Sequence, residues 1–300
     1  RAVAELDVPG PSPAGPPVCP RHPDQVSYVR CQRCERPVCP SCQRPAAVGI
    51  QCVDCVAAGA ATVRQARTIF GGEVVTGRPM ATIAIIAVCA AAFAAQRADP
   101  GLTDSWAFGP AIGWSEPWRV LTSAFLHGGM AHLVLNMLAL WFMGSYVEPL
   151  LGRLRFIVVY LLSAVGGSVG VLLLASAPTT GAVLGQAGVY DSWFSGYVGA
   201  SGAVFGLFGT VLVLNRHLGR DSSGMYLTIG INAVYGFIAP NVAWQAHLGG
   251  LVTGAVAAGV LAWCAAPERR RLVWPLLLGL LSVLVLLAAL KYAGVPDGYR

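Results

Sequence analysis

Charge is what this sequence has least of. Charged residues make up 11% of its 300 residues, against 55% hydrophobic ones; soluble globular chains carry about 25%. The scarcity is also uneven. No charged residue occurs between Arg78 and Arg97, Arg155 and Asp191, Asp191 and Arg216, Asp221 and Glu268, or Arg271 and Lys291. This excludes a water-soluble globule. Apolar windows of about 18 residues with few charges read as transmembrane helices, so the chain reads as an all-α polytopic membrane protein. Lysine is nearly missing, at one (Lys291) against 19 arginines, a bias associated with GC-rich bacterial sources and hence with a bacterial cell membrane. Residues 1–18 lack an apolar core, which argues against a cleavable signal peptide; rich in Pro, Gly and Ala, they are expected to be disordered. No internal repeat is visible, which counts against a transporter built from repeated halves. The net charge of +6 comes mostly from arginines in short segments between apolar stretches. There they set topology, and no nucleic-acid partner is expected.

Seven spans are predicted, at about 79–96, 131–147, 154–175, 201–216, 223–239, 242–266 and 272–290. "APN" at 239–241 makes a turn, because Pro240 cannot continue a helix. With the N-terminus cytoplasmic, ten arginines fall on the inner side and four cations on the outer, as the positive-inside rule requires; the C-terminus is then outside. The chain divides into the N-terminal segment 1–18, a cysteine-rich module at 19–55, a polar linker at 56–78, a membrane core at 79–267 and a last helix with a short tail at 268–300.

Seven of the nine cysteines fall in the module, spaced as Cys19-x-x-His22, Cys31-x-x-Cys34, Cys39-x-x-Cys42 and Cys52-x-x-Cys55. Four pairs make eight ligands, enough for two structural tetrahedral zinc sites. Disulfides are the competing reading, and a reducing cytosol disfavours them. The order of pairs resembles a B-box-type zinc finger, with a Cys-Cys pair where that family ends in histidines. Spacing leaves the pairing open, a cross-brace of first with third and second with fourth being one solution. A cytoplasmic protein partner suits such a module better than catalysis does. Cys89 and Cys264 lie in spans and read as packing residues.

Polar side chains inside a membrane are costly and mark function. Four stand within the first turns of spans that run in the same direction: His132 and Asn136, Ser201, and His247. His132 and Asn136, four apart, share a helix face. Gly199, Gly202, Gly206 and Gly209 form a small-residue stripe around Ser201, and Ala246, Gly250 and Gly254 one around His247. Such stripes let helices approach closely and bring the hydroxyl toward the imidazole, the pairing a serine nucleophile needs. No acid lies near His247 at its depth, so a Ser–His dyad is expected, with Phe205 placed to stack on the ring. His132, Asn136 and the Ser201 N–H can supply oxyanion donors. The blander alternatives are a helix cap for Ser201 and a satisfied interface histidine for His247. His127 reads either as a loop anchor or as a neighbour of the site. Trp118 and Arg119 read as interfacial anchors, His217 as facing the inner headgroups, and Glu148 as a partner of Arg153 or of loop backbone.

Together "EPWR" with Trp118-Arg119, "FLHGG" with His127, His132-x-x-x-Asn136, "GASG" at 199–202 and "AHLGG" at 246–250 resemble the rhomboid intramembrane serine proteases over about residues 79–267. The resemblance implies a six-helix rhomboid-like bundle plus a seventh C-terminal transmembrane helix, preceded by the small two-zinc module. It implies cleavage of transmembrane protein substrates in the lipid bilayer near the outer face. Ser201 is then the nucleophile, His247 the general base, and His132 with Asn136 the oxyanion hole. Phe205 stands where the family often has tyrosine. A catalytically silent relative that binds client helices is the alternative; it predicts loss of Ser201 or His247, and both are present.

Overall fold

The computed structural model describes residues 15–62, 66–178, 191–239 and 242–299. The expected disorder of the first residues falls mainly on 1–14, and the predicted proline turn on Pro240 and Asn241, both outside the described residues. The chain forms two compact units, Arg1–Gln65 and Ala66–Arg300.

The first unit is built on its cysteine and histidine pairs rather than on a large apolar core. Strands β1 (Val18–Cys19) and β2 (His22–Val26) pair antiparallel, as do β3 (Gln43–Pro45) and β4 (Ile50–Cys52). Helix α1 (Val53–Thr62) follows. The buried residues are almost all cysteines, with Val38 among them.

The second unit is helical. In chain order its helices are α2 (Met80–Ala98), the short α3 (Gly101–Trp106) and α4 (Arg119–Thr122), α5 (Met130–Leu151), α6 (Arg153–Leu174), the short α7 (Asp191–Phe194), α8 (Ser201–His217), α9 (Ser223–Ile238), α10 (Trp244–Trp263) and α11 (Val273–Ala293). Among the described residues, five helices are long and apolar enough to cross a membrane: α2, α5, α6, α10 and the stretch Pro267–Ala293 that contains α11. The fourth and fifth expected spans coincide with α8 and α9, of 17 and 16 residues. Helix α8 is short and walled by protein. Twelve of its residues are buried, and at 1.5 Å per residue it rises only roughly 25 Å.

The core lies where α6, α8 and α10 meet, and glycine sets that geometry. A β-carbon on Gly250 would fall on the Gly202 carbonyl, and one on Gly254 on the Gly206 carbonyl. On the other side of α10, a β-carbon on Gly170 would lie 2.6 Å from the Gln245 carbonyl. Helix α10 thus runs backbone to backbone against both neighbours, as small-residue surfaces allow. Around this seam pack Phe156, Tyr160, Leu207, Leu214 and Leu261, each wholly buried. Glu148 on α5, fully buried, accepts from the Ala81 N–H (3.1 Å), the Thr82 N–H (2.8 Å) and the Thr82 hydroxyl (2.8 Å). It satisfies donors that the first turn of α2 cannot bond internally. Arg153 Nε stands 3.7 Å away, so the ion-pair reading of Glu148 applies, while the backbone it bonds belongs to helix α2 rather than to a loop.

Candidate active site and metal clusters

The chain enters α8 through an extended stretch. Phe108 and Tyr197 exchange backbone hydrogen bonds of 3.0 and 2.7 Å, and the Gly199 N–H donates to the Ser123 carbonyl at 3.0 Å. Gly199 has φ +137, and a β-carbon there would lie 2.8 Å from His132 Cε1 and 3.0 Å from Nε2. Both the backbone conformation and the close approach call for glycine. Ala200 is the N-cap of α8, and no side chain caps that helix. Ser201 is therefore not a cap, and among the described residues no hydrogen bond engages its hydroxyl.

His247, in the first turn of α10, stacks face to face on Phe205, with ring centroids 4.0 Å apart and planes 6° from parallel. Phe205 lies one turn after Ser201 on α8, so the stack holds the imidazole over the turn that carries the hydroxyl. Nδ1 of His247 faces α9, 3.8 Å from where a β-carbon on Gly236 would sit. Among the described residues no carboxylate pairs with His247, and no hydrogen bond joins it to Ser201. Such contacts often tighten only when substrate binds.

On α5, His132 Nδ1 accepts from the Gly128 N–H at 3.3 Å. An accepting Nδ1 puts the ring proton on Nε2, the nitrogen that faces Gly199 next to Ser201. Asn136, buried, donates from Nδ2 to the His132 carbonyl at 2.9 Å, which uses one of its two N–H bonds. The second remains for another acceptor. His127 is 2% exposed, and neither ring nitrogen has a hydrogen-bond partner. Its ring meets His132 edge-on at 5.3 Å, while Gln96 holds its backbone (His127 N–H to Gln96 Oε1, 3.0 Å). His127 is thus an anchored loop residue through its main chain and a neighbour of the site through its ring. Burial first, and then the His132 charge, push its pKa down to about 4. Gln96 was not singled out from sequence, although an amide inside an apolar span is the signal that finds it.

A small cleft of about 30 Å³ opens beside Ser201, walled by Gly167, Gly199, Gly202 and Ala246 together with Phe108 and Tyr197. Trp118 is 54% exposed, as an interfacial anchor should be, but Arg119 is not an exposed anchor. It is buried, bonds Glu116 Oε2 at 2.7 Å and donates to the carbonyls of Asp104 and Ala107. It braces the loop between α3 and α4.

In the first unit the eight predicted ligands fall into two clusters: Cys19, His22, Cys39 and Cys42, and Cys31, Cys34, Cys52 and Cys55. This is the cross-brace, a choice that spacing had left open. Donor atoms in each cluster lie within 4.8 Å of one another, so each can hold a metal ion. Tetrahedral bonds of about 2.3 Å to sulfur set neighbouring sulfurs about 3.8 Å apart; Cys34 and Cys52 Sγ are 3.7 Å apart. His22 Nδ1 stands 3.3 and 3.4 Å from the sulfurs of Cys39 and Cys42. The Cys52 N–H donates to Cys31 Sγ at 3.2 Å. The Cys39 backbone N–H, the main influence, lowers the Cys19 thiol to about 6, toward the thiolate a metal requires, while burial, first among the causes, raises the Cys42 thiol of the same cluster to about 11.

The family model for the rhomboid domain matches residues 115–264, half of the chain. Rhomboid protease GluP of Bacillus subtilis is 35% identical over 155 residues, 50% of this chain and 27% of that protein. RHOMBOID-like protein 1 of Arabidopsis thaliana is 37% identical over 146 residues, 46% of this chain and 33% of that protein. A relative named inactive, RHOMBOID-like protein 8 of the same plant, is 30% identical over 146 residues, 46% of this chain and 36% of that protein. The match thus spans about a third of these relatives' own lengths. It takes in α5 through α10, including His132, Asn136, Ser201 and His247, and on that ground the chain belongs to the rhomboid family.

Proposed function

We propose that this rhomboid is an intramembrane serine protease that cuts transmembrane proteins near the outer membrane face through Ser201 and His247. The observation that carries the reading is the His247 ring stacked on Phe205, one turn from a serine whose hydroxyl is otherwise unengaged. Ser201 Oγ attacks the scissile carbonyl while His247 takes its proton. His247 returns that proton to the leaving amine. Water, deprotonated by the same imidazole, then attacks the acyl-enzyme and releases the second product with free Ser201. His132 Nε2–H, the free N–H of Asn136 and the Ser201 N–H meet the oxyanion. The small cleft, lined by Gly167, Gly202 and Ala246 as well as Phe108 and Tyr197, suits a small substrate side chain beside the scissile bond.

The catalytic core is residues 79–267, with the seventh helix and tail at 268–300 added to it. The N-terminus lies in the cytoplasm of a bacterial cell and the C-terminus outside. The module at 19–55, which α1 extends to Thr62 where a polar linker was expected from 56 onward, carries two zinc ions, one held by three thiolates and an imidazole, the other by four thiolates. The sulfur spacing fits that ion, and closed four-ligand sites supply folding energy rather than chemistry. A cytoplasmic protein is its partner.

The test is cleavage of a single-span substrate by the full chain in reconstituted vesicles. Ser201→Ala and His247→Ala, each still folded, should lose about three orders of magnitude or more in rate. Undiminished cleavage by both variants overturns the assignment. Substrate helices bound but uncut by the wild type favour the client-binding reading, which the named-inactive relative illustrates.

A further inference from the structure

At the end of the bundle where α5 meets α6, three guanidinium groups converge on Gly71. Arg67 Nη1 donates to the Gly71 carbonyl at 3.1 Å. A β-carbon on Gly71 would lie 3.0 and 3.3 Å from Arg155 Nη1 and Nη2, and 3.3 Å from Arg270 Nε. The turn that presents Gly71 is fixed. The Thr68 N–H donates to the Gly72 carbonyl and the Gly71 N–H to the Thr68 carbonyl, both at 2.8 Å. Phe70, fully buried, roots the turn in the helical core, and a β-carbon on Gly72 would fall on the Leu151 carbonyl.

Among the described residues no carboxylate pairs with this convergence; Arg67 and Arg270 are met only by backbone carbonyls, Arg270 Nε donating to that of Ala265 at 3.3 Å. Arg155 is 7% exposed, and its Nη1 is buried without a hydrogen-bond partner. Among the described residues none of the three arginines forms a salt bridge; the buried acid at this end, Glu148, is engaged by the α2 amides and Arg153. A buried guanidinium facing two charges of its own sign needs an anion, and forked guanidinium donors match phosphate oxygens. Exposed Trp263 and Trp274 flank the segment that carries Arg270, and Arg269 lies 4.6 Å over the Trp263 ring. Tryptophans of this kind mark headgroup level.

We propose that Arg67, Arg155 and Arg270 bind a phosphate group, supplied by the headgroup of an acidic phospholipid or by free phosphate. The site is independent of the proteolytic reading.

The full chain, stripped of lipid in neutral detergent, is titrated with phosphatidylglycerol or phosphatidylcholine and observed by native mass spectrometry. In parallel, its unfolding temperature is followed with inorganic phosphate. The wild type should retain phosphatidylglycerol about tenfold more tightly than phosphatidylcholine, and Arg155→Gln and Arg270→Gln should remove that preference. Gly71→Asp places a resident carboxylate among the arginines, at a positive φ that aspartate tolerates better than most residues. It should abolish the preference without lowering the unfolding temperature. If inorganic phosphate raises the wild-type unfolding temperature and displaces the lipid, free phosphate is the occupant and the site stands. If Arg155→Gln does not fold, Arg270→Gln and Gly71→Asp decide. The proposal is overturned if these variants keep the wild-type preference, or if the wild type has none and phosphate does not stabilise it.

Discussion

His127 is held neutral by burial beside His132, and that sets a pH window. Its pKa is pushed down to about 4, against about 6.5 in an unfolded chain. Between these values the unfolded chain binds the extra proton, so stability rises with pH through the window and is flat above it. Acidification from neutral pH to about 4 should therefore cost up to about 3 kcal/mol through this group alone, and His127→Gln should remove that share of the slope. Unfolding temperature against pH, wild type beside variant, is the check. Gly199 is the second residue at which one atom decides the outcome. Its φ and its approach to His132 both exclude a β-carbon. Gly199→Ala should push His132 out of line and, under the proposed mechanism, lower the cleavage rate about 10²- to 10³-fold. A rate within a few-fold of wild type would show that His132 Nε2 is not an oxyanion donor.

At the scale of elements, the contact of α8 with α10 is made of backbone. Large side chains seal most helix pairs; here the absence of side chains does so. Gly250→Ala puts a methyl on the Gly202 carbonyl, which neither helix can yield without moving. A loss of about 2 kcal/mol or more is expected, read as a lower unfolding temperature in detergent. Because the displaced turn carries Ser201, the cleavage rate should fall further than stability alone predicts. Helix α2 depends on a different device, a carboxylate from α5 bonded to its first amides. Glu148→Ala strands those buried donors and should destabilise by about 2–3 kcal/mol; Glu148→Gln, which keeps an acceptor, should lose less.

For the whole molecule, the last helix ties distant segments together. Lys291 Nζ donates to the carbonyls of Leu173 and Ala175 at 3.1 and 3.0 Å, which closes the end of α6. Tyr292 Oη donates to the Pro110 carbonyl at 2.8 Å, and Trp193 Nε1 to the Tyr299 carbonyl at 2.9 Å. The loop between α3 and α4 and the approach to α8 are joined in turn by the Phe108–Tyr197 bridge. Tyr292→Phe should cost about 1–2 kcal/mol in unfolding free energy. The N-terminal unit, under the proposed zinc reading, depends on metal instead. Chelation should remove two ions per chain and unfold that unit, because the clusters are its core. Cys31→Ser should lower the metal content to one ion per chain or less, since the two ligand sets share no residue.

The sequence by itself determined the membrane class, the positions of the seven longest apolar helices of the second unit, the eight donors of the clusters and the four polar residues of the candidate site, but not the short helices. Each rests on local signals: runs without charge, Cys-x-x-Cys spacing, and polar groups where lipid does not tolerate them. What only the tertiary structure decided depends on residues far apart in the chain. The cross-brace was open because every pair is equally able to join any other. Arg119 reads as a surface anchor until folding brings the Asp104 and Ala107 carbonyls to it. The convergence of Arg67, Arg155 and Arg270 joins positions across 203 residues, and no period or spacing encodes it. The last helix reads as one more apolar run, yet its polar end carries Lys291 and Tyr292 to segments more than a hundred residues away. Local chemistry fixes which groups are present; packing of the glycine-lined helices fixes which of them meet.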